Sequence, residues 1–126
     1  MKKTILAALV LLPHLSYANE AKCLARILHA EDRKTITGAI EVANASINRS
    51  NAQQKSICRI TGVERSEPPT KYRPYFEALA QAALASPRLN DADSWDAGRK
   101  PHLPGDIRQY AGGQTFYKMK QKKKRS

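Results

Sequence analysis

The sequence predicts a mainly α domain, α+β at most, closed by one disulfide. Three observations carry this. Apolar residues recur at helical spacing in three separate stretches, only one short segment near the C-terminus reads as a hairpin, and there are just two cysteines, Cys23 and Cys58. A chain of 126 residues is the length of one domain.

The first 18 residues have their own character. Lys2 and Lys3 precede an apolar run from Ile5 to Leu12, and Ser16-Tyr17-Ala18 puts small residues at −3 and −1 of a cleavage point. This is the pattern of a secretory signal peptide, and the run is far short of the ~20 residues that span a bilayer. An uncleaved anchor is the alternative, though Pro13 and His14 interrupt any longer span. Cleavage after Ala18 leaves 108 residues beginning at Asn19. The expected location is secreted or periplasmic, and no later segment is apolar enough to cross a membrane.

From Ala21 to Ala30, Leu24, Ile27 and Leu28 form a helical stripe with cations opposite, and Glu31 and Asp32 follow at its C-terminal end. Thr37 is a plausible N-cap for a second helix over Gly38 to Ser50, with Ile40, Ala43 and Ile47 on one face. A short helix around Lys55 to Thr61 is expected to carry Cys58 back to Cys23. Gly62 to Pro74, with three prolines and five charges, reads as a loop. Pro74 to Ser86 is an alanine-rich helix with proline at its first turn and Ser86-Pro87 as its stop. Pro87 to Asp106 shows no periodicity and reads as a long structured loop. Gln109 to Met119, with Gly112-Gly113 between apolar and aromatic residues, is consistent with a hairpin.

An even cysteine count in an exported chain argues for a Cys23–Cys58 bridge, worth roughly 3–4 kcal/mol for a loop of this length. The three histidines have no spacing that joins the cysteines into a four-ligand set, so neither metal nor cofactor is expected. The net charge is +11, or +9 without Lys2 and Lys3, and much of it lies in Lys118 to Arg125. We expect a disordered basic tail over residues 118–126. In an exported chain such charge points to anionic envelope surfaces, not nucleic acid.

Glu31 is the leading candidate for chemistry. It ends an apolar helix at the negative pole of the helix dipole and lies within the disulfide-closed loop, a setting that favours a carboxyl holding its proton, as a general acid must. On pattern alone, a solvated helix-end carboxylate paired with Arg33 or Lys34 is the weightier reading. Tyr75, Trp95, Tyr110 and Tyr117, with Tyr72, are candidate sugar-stacking residues, although aromatics in a small domain also serve as core. Arg33 either binds a substrate carboxylate or pairs with Glu31 or Asp32.

The stretch Cys23 to Arg49, CLARILHAEDRKTITGAIEVANASINR, resembles the opening motif of the cell-wall hydrolase family that includes spore-cortex-lytic enzymes of the SleB type. Cys23-Leu24-Ala25, Glu31, Arg33, Gly38, Val42-Ala43 and Ile47-Asn48-Arg49 match that motif in order. Ile57-Cys58 resembles a later element, and Gly112 to Tyr117 resembles the closing one. The family's second glutamate is absent, with Lys34-Thr35 in its place. The resemblance implies a small lysozyme-like domain over residues 19–117 that cleaves peptidoglycan glycan strands between N-acetylmuramic acid and N-acetylglucosamine. It implies a lytic transglycosylase or muramidase with Glu31 as the acid/base. The reading from another class is a non-enzymatic envelope- or glycan-binding protein acting through its basic tail.

Overall fold

The computed structural model describes the backbone of residues 2–31, 35–97 and 104–119, and the side chains of residues 17–31, 35–96 and 104–119. It contains three helices, α1 (Lys2–Glu31), α2 (Ile36–Gln53) and α3 (Arg73–Ala85). A three-stranded antiparallel sheet follows, β1 (Ser94–Ala97), β2 (Gly105–Ala111) and β3 (Gln114–Met119), in the order β1-β3-β2. Of the mainly α, at most α+β, domain expected, the structure shows the latter: helices and sheet form an α+β domain. Among the described residues no helix is long and apolar enough to cross a membrane.

The stripe on α1 does what its spacing dictates. Ala21, Leu24, Ala25, Ile27 and Leu28 are all buried and form the core with Val42, Ala43 and Ala45 of α2 and Phe76 and Ala80 of α3. The helix runs through the predicted cleavage point, where Ala18 and Asn19 are exposed. α2 starts two residues earlier than expected. Its N-cap is Thr35, whose hydroxyl accepts the Gly38 N–H at 3.0 Å. Its buried face is centred on Val42, Ala43 and Ser46, and Ile40 is exposed instead. It ends at Gln54 in the left-handed region (φ 53°), with the Lys55 N–H closing onto the Ser50 carbonyl at 3.1 Å.

The expected short helix around Cys58 is absent: residues 57–59 form a turn. The bridge itself is present, Cys23 to Cys58 at 2.04 Å. The Ile57 N–H also donates to the Glu20 carboxylate at 3.0 Å, so the turn is fastened to α1 at two neighbouring points. α3 opens with Pro74 in its first turn and closes with Arg88 donating to the Ala83 and Ser86 carbonyls, both at 2.6 Å.

The segment read as a long loop contains β1 and the start of β2. What orders it is polar. Asn48 of α2 donates to the Asn90 and Ala92 carbonyls at 2.8 and 2.7 Å. Asn44 accepts the Leu89 N–H at 2.8 Å, and Asn90 donates to the carboxylate of buried Glu41 at 3.1 Å. These bonds clamp residues 89–92 along α2 and deliver β1 to the edge of β3, where Trp95 faces Phe116 in register. β2 and β3 form the expected hairpin. Gly112 and Gly113 both have positive φ, 59° and 74°, the conformation that a two-residue hairpin turn requires. Thr115, Phe116 and Tyr117 are buried in succession, so central β3 is covered on both faces. Lys118 and Met119 belong to this strand and not to a tail. The Met119 N–H and the Lys118 ammonium bond to buried Asp93 at 3.0 and 3.3 Å. Residues 120–126 lie outside the described residues.

Candidate active site

Glu31 is the last residue of α1 and meets the sheet directly. Its Oε2 accepts the Trp95 Nε1–H at 2.8 Å, and its Oε1 accepts the backbone N–H of Glu64 at 2.8 Å. The Gln114 amide donates to the Glu31 backbone carbonyl at 2.7 Å. That carbonyl is one of the four left unpaired at a helix C-terminus, so Gln114 both satisfies it and fixes the helix end against β3. Residues 64 and 95 thus meet on one half-buried carboxyl, and 114 holds the helix end that carries it.

Behind this contact stands Arg49 of α2. Its guanidinium carbon lies 4.8 Å from the centre of the Trp95 ring. Its Nε donates to the Asp93 carbonyl at 2.8 Å, and its Nη1 donates to the Gly62 and Thr61 carbonyls at 2.7 and 3.2 Å. Arg49 therefore ties the lead-in of β1 to the segment that ends in the Glu64 amide. Burial pulls its pKa below the ordinary value, while the charges of Asp93 and Glu31 pull it back up. It stays cationic and puts a positive charge behind the acid. Gly62 has φ 79°, the left-handed region that favours glycine, and a Cβ there would come within 2.9 Å of Arg49 Nη1 and make the guanidinium shift.

The sequence-predicted residues separate into groups. Glu31 and Trp95 are brought together, and Cys23 and Cys58 are bonded. Arg33, like Asp32, lies outside the described residues. Tyr117 is fully buried; it is a core residue and offers no face to a substrate. Tyr110, on β2, borders a separate concavity with Thr37, Ile40 and Leu89. Tyr75 borders another with His29, Pro69, Tyr72 and Phe76. The sequence singles out neither Gln114 nor the backbone amide of Glu64, both of which the structure brings to Glu31. Arg49 enters the sequence reading only through the family-like motif. Its neighbours in the motif-like Ile47-Asn48-Arg49 were the only signal available, and they say nothing of Trp95.

The arrangement suits acid/base chemistry by one carboxyl. Among the described residues no group of three or more His, Cys, Asp or Glu side chains is gathered as a metal site. In comparisons with protein-family models, curated proteins and solved structures, no match to this chain is found.

Proposed function

We propose that the chain is an exported glycosidase that cuts the peptidoglycan glycan strand, as a lytic transglycosylase or muramidase, with Glu31 as its acid/base. The observation that carries this reading is the setting of the Glu31 carboxyl. It stands at the end of a buried helix where helical body and sheet meet, and is aimed by an indole N–H and a backbone amide. In that role the protonated carboxyl gives its proton to the glycosidic oxygen as the bond to the muramic C1 breaks. The resulting carboxylate then takes the proton either of the muramic 6-hydroxyl, giving a 1,6-anhydro end, or of an attacking water. One residue serves both steps, so no second carboxylate at fixed separation is needed.

The signal-like N-terminus and the disulfide agree with a life outside the cytoplasm, where the wall is. The cationic residues from Lys118 to Arg125 would draw the enzyme to anionic envelope polymers. The test is loss of turbidity on purified peptidoglycan. Wild type is expected to clear it, and Glu31→Gln to be slower by about 10²–10⁴-fold at unchanged melting temperature. Equal clearing by both refutes the assignment, and no clearing by either returns the chain to a non-enzymatic binding role. Mass analysis of the fragments separates anhydro from hydrolysed ends.

A further inference from the structure

We propose that Tyr72 and Tyr75, with His29, Pro69 and Phe76, form a stacking subsite for an N-acetylated amino sugar on the α3 side of Glu31; this rests on the glycan-cleaving reading above. Tyr72 and Tyr75 are among the few large apolar side chains left exposed, at 51 % and 44 %. They border a cavity of about 500 Å³ with His29, Pro69 and Phe76, within the roughly 300–1,000 Å³ typical of small-ligand clefts.

Its wall is rigid. Buried Phe76 is met edge-on by His29 (5.3 Å between ring centres) and by Tyr75 (5.1 Å), and His29 Nδ1 is 2.6 Å from the Ser66 hydroxyl. The Tyr72 side chain makes no capping bond to α3, and its ring has only a loose contact with the Lys71 ammonium, 5.7 Å away.

A second depression shares one wall with this cavity. His29 also lines an adjoining depression with Ala30, Glu64, Arg65 and Ser66. Ala30 is next to Glu31 in the chain, and the Glu64 amide holds Glu31 Oε1. His29 is thus common to both concavities, and Glu64, which lines the second, is the residue whose amide holds Glu31. Flat rings with hydroxyls at their rim match a pyranose, whose C–H face stacks while its hydroxyls and acetamido group find polar partners. Lys71 stands beside the Tyr72 ring, and Arg65, whose guanidinium donates to the Ile57 and Ile60 carbonyls, lines the second concavity together with acidic Glu64.

The experiment measures binding and not turnover. The full exported chain carrying Glu31→Gln is titrated with N-acetylglucosamine tetramer and hexamer, and separately with a free wall stem peptide, by calorimetry and NMR. Binding of the hexamer is expected, weakened about 3- to 10-fold by Tyr72→Ala or Tyr75→Ala and retained by the Phe variants. Unchanged binding in a folded Tyr72→Ala/Tyr75→Ala double variant overturns the proposal. So does absence of hexamer binding, or a stem peptide that binds in place of the sugar. If Glu31→Gln still clears walls while the tyrosine effects persist, the acid assignment falls and the subsite stands.

Discussion

At the scale of single residues, the site depends on how Glu31 is aimed. Trp95→Phe keeps a ring for Phe116 and Arg49 to pack on but deletes the indole donor. Losing one hydrogen bond to a charged or reacting carboxyl should slow wall clearing by about tenfold or more, with little change in melting temperature. An unchanged rate means the bond is only structural. Two exposed pairs give a pH signature. A hydrogen bond from Arg26 holds the Glu67 carboxyl below its ordinary 4.5, and Arg108 does the same for Asp91. Since the folded values are depressed, these pairs stabilise the protein above the ordinary carboxylate range, and their contribution is lost as pH falls through the folded values. Glu67→Gln should therefore lose less stability than wild type between about pH 5 and pH 3, read from denaturant midpoints. Glu31 and Trp95 were legible in the sequence because each is chemically rare in its setting: a carboxylate at the wrong helix pole, and the only tryptophan. The Glu64 amide was not, because a backbone N–H leaves no mark in a sequence.

Among the elements, the helices were readable and one strand was not. Helical periodicity records burial on one face, and α1 and α3 have that face. β1 is four residues long, is followed by a stretch holding Gly98, Pro101 and Pro104, and is positioned by asparagine side chains on α2 and not by an apolar alternation of its own. Its partner β3 is buried on both faces, which also erases alternation. The turn carrying Cys58 misled for a similar reason: the disulfide and the Glu20 contact hold it, so no helical hydrogen bonding is required. Reducing the bridge, or replacing both cysteines by serine, should cost roughly 3–4 kcal/mol of stability and lower activity with it. Full activity in the double variant would refute its role as a brace for the end of α1. Truncating Leu28, fully buried one turn before Glu31, should cost about 2–5 kcal/mol by chemical denaturation. The α1 stripe is peripheral if the cost is below about 1 kcal/mol.

For the molecule as a whole, charge and fold are separable at a definite point. Residues 120–126 carry five lysines and arginines, while Lys118 and Met119 are bonded to buried Asp93. Truncation after Met119 should leave the melting temperature unchanged and remove a salt-sensitive share of adsorption to purified walls. Truncation after Tyr117 should also destabilise the sheet. Co-sedimentation at low and high salt, beside thermal melts, distinguishes the two. The composition announced this charge, but where the strand stops and the basic run begins depends on Asp93, twenty-five residues earlier in the chain.

The hydrogen bonds around Glu31 also set an order of events. The carboxyl comes from position 31, its donors from 64 and 95, the bond that seats its helix end from 114, and the cation behind it from 49. If the chain is exported N-terminus first and cuts the wall as proposed, the acid would cross well ahead of Gln114, which follows it by 83 positions. Until then Glu31 would stand without the contacts that aim it, and the centre would need no inhibitor during synthesis and passage.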